Sequence, residues 1–286
     1  MTANILDGEF VAATVRNRVA TEVAELALRG KNVGLGTILV GEDEASARYV
    51  EMKHRDCAEV GISSAHLHLG QGVSTAEVLE AVQEFNARPD VDAYLVQLPL
   101  PNGVDEQMVL SAVDPSKDVD GLHPFNLGLL VMGRPGPLPC TPAGIVELLT
   151  HFGIDPSGKH VAILGRGLTI GRPLALLLAL KRPKCNAAVS VVHTGVANPE
   201  LIVRTADIVI SAAGSPGVVK ASWIKPGAVV VGAGTSWEGR RIVSDLDDEV
   251  ASVASWVTPR LGGVGPMTRA MLLVNALEAA KRNLGS

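Results

Sequence analysis

The stretch VAILGRGLTIGRPLALLL, Val161 to Leu178, decides how the chain is read. An apolar run ends at Gly165, two more glycines follow at Gly167 and Gly171, and a leucine-rich run of helical character comes next. Strand, glycine turn and helix in this order form the context in which a turn binds nucleotide phosphates. The helix N-terminus offers free N–H groups and the positive end of its dipole. Gly165 lets the chain turn off its strand, Gly167 leaves no Cβ where a phosphate nears backbone, and Gly171 lets helix and strand pack closely. The spacing is G-x-G-x-x-x-G, one residue longer than the usual G-x-G-x-x-G, so the loop must bulge to hold it. A tight structural turn in an α/β domain would use the same glycines. Alone, the pattern supports an anion-binding turn and no more.

Outward from this turn, apolar β-rich runs alternate with helical patterns, which predicts α/β architecture with parallel sheets. Upstream, VGLGTILVG (33–41) reads as a buried strand. The segment 42–61 reads as a helix with Gly61 as C-cap, 75–87 as a second amphipathic helix, and VDAYLVQLPLP (91–101) as a strand broken by Pro99 and Pro101. The segment 133–144 is turn-rich, and a new unit starts at PSGKHVAILG (156–165). Downstream, AAVSVVH, ADIVISAAG and GAVVVGAG are successive strands, and a last helix runs from about Arg269 to Asn283, able to pack back on the first domain. The expected division is residues 1–139 plus 268–286 for one domain and 140–267 for a Rossmann-like second domain.

Composition bounds the partners. The chain has 286 residues, 47% of them hydrophobic, enough for two ordinary domains. Aromatics are only 3%, so the core is aliphatic. A formal net charge of -5 argues against a general nucleic-acid or anionic-membrane binder. Cys57, Cys140 and Cys185 are far apart and odd in number, which fits a reducing cytoplasm rather than a disulfide framework. The N-terminus lacks the basic region and apolar core of a signal peptide, and apolar runs such as LALLLAL are too short to span a bilayer. No nucleic-acid or membrane partner is expected.

The dinucleotide type depends on the end of the strand after the turn. An NAD site commonly places Asp or Glu there for the ribose hydroxyls. Here AAVSVVHTG ends in His193 and Thr194, and Arg166 or Arg172 could pair with a 2′-phosphate, which favours NADP. Each arginine also suits ordinary surface charge, and His193 a strand-end hydrogen bond.

A second constellation lies in the helix at 42–61. Ser46, Tyr49 and Lys53 are spaced by three and four residues and share one face. An aromatic beside a lysine can stack on a flat heterocycle while the amine, its pKa lowered by burial, serves as acid or base. The spacing alone equally describes a solvated helix surface. Gln97 ends an apolar strand, where α/β proteins place ligand groups. The polar loop DPSKDVDGLHPFNLG (114–128) carries Asp118 and Asp120 without calcium-loop spacing, and the seven histidines form no HExxH pair, so no metal is predicted.

Taken together, ILDG (5–8), ILVGEDEASARYVEMKHRDCAEVGI (38–62), VQLPLP (96–101), DPSKDVDGLHPFNLG, PCTPAGI (139–145), ILGRGLTIGRPLALLL, TADIVISAAG (205–214) and GGVGPMTRAMLL (262–273) resemble the methylenetetrahydrofolate dehydrogenase/cyclohydrolase family, in its order and over nearly the whole chain. The resemblance implies a bifunctional enzyme. It would oxidise 5,10-methylenetetrahydrofolate with NADP, then hydrolyse the methenyl product to 10-formyltetrahydrofolate, in a cleft between a folate-binding catalytic domain and an NADP domain. By family analogy Lys53 is the central acid/base, Gln97 orients it, and Asp120 holds the pterin-like ring. Tyr49 stacks on folate, with Ser46, Gly262, Gly263 and Pro266 as further substrate contacts. Gly165, Arg166, Gly167, Thr169, Gly171, Arg172, His193 and Thr194 become the cofactor contacts. A homodimer is implied as well.

Three places depart from the family pattern. Gly167 stands where serine is frequent, Gly232 where aspartate is common, and Arg260–Leu261 where a small apolar residue and a proline are usual. None touches Lys53, Gln97 or Asp120, so activity should be kept. Because two of these segments belong to the dehydrogenase half, a monofunctional cyclohydrolase stays open as the alternative.

Overall fold

The computed structural model describes residues 3–238 and 241–284. The outermost positions of the first expected domain, residues 1–2 and 285–286, lie outside the described residues. The chain forms two compact units. One holds the N-terminal segment through Ala12, Leu130–Arg134 and Thr141–Thr268; the other holds Ala13–Leu129, Pro135–Cys140 and the C-terminal segment from Arg269.

Strand β1 (Asn4–Ile5) leads into helix α1 (Gly8–Leu28), then β2 (Gly34–Val40), α2 (Glu44–Val60), β3 (Ser63–Leu69), α3 (Thr75–Ala87) and β4 (Ala93–Val96). Strands β3, β2 and β4 make a parallel three-stranded sheet in that order. All seven residues of β2 are buried, as expected of a central parallel strand covered on both faces. Tyr94 and Phe85 pack ring to ring in the core beneath it. Helix starts are set by local chemistry. Asp43 caps α2 by accepting from the Ser46 amide at 2.7 Å. Ser74 and Glu77 form a reciprocal capping box at α3. Gly61, at φ 78°, closes α2 in the left-handed conformation.

Short helices α4 (Glu106–Ala112) and α5 (Pro124–Val131) flank the acidic loop. The segment read as turn-rich up to residue 144 becomes helical sooner, because α6 (Cys140–His151) begins at Cys140 and Pro142 is tolerated in its first turn.

The second sheet is built from β5 (His160–Leu164), α7 (Gly171–Ala179), β6 (Ala188–Val192), α8 (Pro199–Val203), β7 (Ile208–Ser211) and β8 (Val229–Gly232). A hairpin of β9 (Thr235–Glu238) and β10 (Arg241–Ser244) and the short β11 (Trp256–Val257) follow. The sheet is parallel throughout, in the order β1-β11-β8-β7-β5-β6. Strand β1 pairs with β11, which is why the N-terminal segment joins this unit. Helix α9 (Val264–Leu284) starts five residues earlier than the sequence periodicity predicts; Pro266 is buried in its first turn, where its missing N–H costs nothing.

Candidate active site

The Ser46–Tyr49–Lys53 face of α2 is buried rather than solvated. Lys53 is 4% exposed, and Ser46 is buried at the helix start with its amide bound to Asp43. The face continues one turn further than the sequence reading took it, to buried Asp56. Tyr49 is only partly buried, and the Lys53 ammonium lies 5.2 Å from its ring centroid.

Gln97 follows β4 directly. Its amide N–H donates to Ile38 O at 2.8 Å, and its side-chain NH2 donates to Leu98 O at 2.7 Å. That second bond orients the carboxamide, so Oε1 is turned to accept from Lys53 Nζ at 3.0 Å. The acidic loop then runs beside β4, with Tyr94 N donating to Lys117 O and Val119 N to Tyr94 O. The two loop carboxylates divide the work. Asp118 folds the loop, accepting from the amides of Gly121 and His123 and from Asn126 Nδ2 at 2.8–3.0 Å. Asp120 is left to face Lys53, and the Cys140 amide donates to its backbone carbonyl.

Burial sets the electrostatics here. Desolvation holds the Lys53 amine below the usual lysine range, partly countered by the Asp120 carboxylate. Desolvation also raises the Asp120 carboxyl, and Lys53 opposes that rise. Burial thus pushes both groups toward their neutral forms, and each opposes the shift of the other. The Tyr49 phenol is pushed up to about 12 by burial and stays protonated at neutral pH. Among the described residues, no group of three or more His, Cys, Asp or Glu side chains is placed to hold a metal ion.

In the other unit the glycine turn leaves β5 as expected. Gly165 has φ 111°, and a Cβ there would lie 2.1 Å from Ala212 O; one on Gly171 would lie 2.2 Å from Gly165 O. These two positions therefore require glycine. Gly167 differs: a Cβ there meets open space, so the fold tolerates the serine that is frequent at this position. The start of α7 has no side-chain cap; the Arg172 amide donates to Gly167 O at 3.1 Å and Pro173 has no N–H, which leaves the Gly171 amide to a ligand.

Arg166 Nη1 lies 3.3 Å from His193 Nε2 at the end of β6. The Gly195 amide donates to His193 Nδ1 at 3.1 Å, so the imidazole is held beside the Arg166 guanidinium, whose charge suits an anionic oxygen. Thr169, Arg172 and Thr194 are exposed near them, and among the described residues their side chains make no hydrogen bond.

The sequence reading missed Asp245. It is fully buried and accepts from Ser211 Oγ at 2.8 Å and from the amides of Ala213, Gly214 and Ser215 at 2.8, 3.2 and 2.9 Å. One carboxylate thus pins the loop after β7, at the carboxyl end of the sheet where ligands bind in such folds. A Cβ on Gly234 would lie 1.9 Å from its Oδ2. Of the departures, Gly232 sits where a Cβ would come within 3.0 Å of Leu246, and its amide donates to Thr258 Oγ1 at 2.8 Å. Arg260 and Leu261 are exposed. Their loop is anchored all the same: Glu9 N donates to Gly262 O at 3.0 Å, and Gly8 packs so tightly on Gly263 that any Cβ there would overlap its carbonyl.

Comparison with known proteins agrees with this geometry. The family model "Tetrahydrofolate dehydrogenase/cyclohydrolase, catalytic domain" matches residues 6–120, and the same family's NAD(P)-binding domain matches residues 139–284. The chain is 53% identical over 281 residues to the bifunctional protein FolD of Syntrophotalea carbinolica, covering 98% of this chain and 97% of that one. The bifunctional FolD structure from Campylobacter jejuni superposes with a TM-score of 0.94 at 38% identity, over 98% of this chain and 99% of that one. The Trypanosoma brucei dehydrogenase-cyclohydrolase, solved with NADP and an inhibitor, gives 0.94 at 36% identity over the whole of both chains. The chain belongs to the tetrahydrofolate dehydrogenase/cyclohydrolase family.

Proposed function

We propose that the buried face of α2 is the catalytic centre of this bifunctional folate enzyme, with Lys53 as its acid and base. The enzyme oxidises 5,10-methylenetetrahydrofolate to the methenyl form with NADP and hydrolyses that cation to 10-formyltetrahydrofolate. The observation that carries the assignment is Lys53 itself: 4% exposed, fixed by Gln97 at 3.0 Å, and facing Asp120.

Hydrolysis begins with water attack on the methenyl carbon, and the neutral amine accepts the proton that water loses. The resulting ammonium returns a proton to N5 as the C–N5 bond breaks, and the carbinol O–H gives up its own proton as it becomes the formyl carbonyl. One amine can serve both steps only if its pKa is tuned toward the working pH, which burial achieves here. Gln97 Oε1 holds the amine in place through both. Asp120, raised by burial, hydrogen-bonds the pterin ring, and the partly buried Tyr49 ring stacks on it. Ser46, Gly262, Gly263 and Pro266 remain proposed substrate contacts; Ser46 and Pro266 act from buried positions, by shaping backbone.

For the cofactor, the residues fit NADP: the Arg166–His193 pair takes the 2′-phosphate, and the uncapped start of α7 with Gly165, Gly167 and Gly171 takes the pyrophosphate. Thr169 and Arg172 lie on and just after the same turn and Thr194 follows His193 after β6, all three exposed. When bound, NADP supplies the hydride acceptor, a step that depends on holding the two rings face to face. We further propose a cytoplasmic homodimer whose domains divide as 1–139 plus 268–286 and 140–267. Three free buried cysteines support the reducing compartment. Among the described residues no helix is long and apolar enough to cross a membrane.

Parallel steady-state assays test the reading. Purified protein should reduce NADP with methylenetetrahydrofolate and hydrolyse methenyltetrahydrofolate; absence of reduction with both NADP and NAD would remove the dehydrogenase half.

A further inference from the structure

The catalytic face of α2 ends in a charge that the mechanism above does not use. Asp56 lies three residues beyond Lys53 and is 8% exposed. Arg269, in the second turn of α9, donates from Nε to Asp56 Oδ2 at 2.6 Å, and the two side chains are 13% and 11% exposed. A buried ion pair is weak evidence for stability, because desolvating two charges offsets most of their attraction. Its place is informative instead. The Arg269 cation acts on both Lys53 and Tyr49, disfavouring the Lys53 ammonium, and the Asp56 carboxylate acts on Tyr49.

We propose that the Asp56–Arg269 pair is a positioning element of the hydrolytic centre: it fixes the charge that Lys53 faces along the buried side of α2. The inference rests on the assignment of Lys53 as acid and base. The other groups facing Lys53 are Asp120 from the loop after β4, Cys140 from α6, Cys57 and His54 from α2 itself, and the uncharged Gln97 and Tyr49. Among these groups Asp120 is the carboxylate that favours the Lys53 ammonium. The Arg269 cation adds to desolvation in disfavouring the ammonium, and Asp56 offsets part of the cost of burying that cation.

The two halves of the pair therefore have opposite signs. Removing Asp56 leaves Arg269 uncompensated, so Lys53 gives up its proton more readily. Removing Arg269 takes away the cation and frees a carboxylate beside the site, so Lys53 holds its proton longer. A merely structural role would move both variants the same way.

The test is the pH–rate profile of methenyltetrahydrofolate hydrolysis, corrected for the uncatalysed rate, in full-length wild type, Asp56→Asn, Arg269→Met, the double variant and Arg269→Lys. We expect the ascending limb to move by about one pH unit, acid for Asp56→Asn and alkaline for Arg269→Met. The double variant should return toward wild type, and Arg269→Lys should keep the wild-type limb. Unshifted limbs, or shifts of the same sign, overturn the proposal. Should Arg269→Met fail to fold, Asp56→Asn must still shift acid while Arg269→Lys does not. Lys53→Gln separates the two claims. If it retains hydrolysis, the Lys53 assignment fails. If it is inactive while the pair variants leave the limb in place, only the pair proposal fails.

Discussion

The two units solve opposite problems with their charged residues. Along the buried face of α2, Lys53, Asp56 and the α9 residue Arg269 are withdrawn from water and answered by one another or by Gln97. Around the glycine turn, Arg166, Thr169 and Arg172 are exposed, as is Thr194 after β6. Burial makes a lysine reactive by shifting it toward the free amine, which exposure would not do. An exposed arginine keeps its charge and waits for a phosphate that brings its own. Chemistry is thus done where groups are desolvated by the protein, and recognition where the ligand completes the charge balance.

If that division holds, variants in one region should leave the other activity standing. The largest effect is expected from Lys53→Met. General acid–base catalysis contributes about 10²–10⁴-fold, so hydrolysis should fall by about that factor while NADP affinity, measured by titration, is unchanged. Next comes Arg166→Leu. Loss of a charged hydrogen bond of about 1.5–3 kcal/mol should raise the KM for NADP roughly 10- to 100-fold, leave the KM for NAD nearly unaltered and spare hydrolysis. A KM for NADP that did not move would detach Arg166 from the 2′-phosphate.

Asp245→Asn sharpens the contrast from inside the nucleotide unit. It puts a donor among three backbone N–H groups and the Ser211 hydroxyl, so the loop after β7 should loosen. A loss of about 1–3 kcal/mol in its anchoring should appear as a dehydrogenase about tenfold slower, with hydrolysis retained. Equal loss of both activities would mean that Asp245 holds up the whole fold. The smallest effect is expected from Gly167→Ser, since the space is open: thermal stability should change by less than about 0.5 kcal/mol. Gly171→Ala, only four residues on but packed against Gly165, should destabilise clearly.

Much of this was legible before any coordinates. Period and the C-cap Gly61 gave the two central helices almost to their ends, and the structure adds the local caps Asp43, Ser74 and Glu77. Lys53, Gln97 and Asp120 were found through the family resemblance; spacing alone left the α2 face as readily a solvated surface. What stayed hidden is non-local. Asp245 looks like one more acidic residue in VSDLDDE until the strand order brings it under Ser211 and Gly214, over thirty residues away in the chain. Asp56 and Arg269 are 213 positions apart, and no periodicity in either helix announces the pair. Helix α9 begins at Val264, before the expected Arg269, and Gly265 and Pro266 are both acceptable in its first turn.

The pH dependence of hydrolysis tests the central claim most directly. With Lys53 lowered by desolvation, the free amine forms as pH rises through a pKa below that of an exposed lysine. Hydrolysis by the wild type should therefore climb with pH on a limb lying below the ordinary lysine range, and Lys53→Gln should lose that limb while still binding NADP. An unchanged limb in Lys53→Gln would place the acid and base elsewhere and contradict the account.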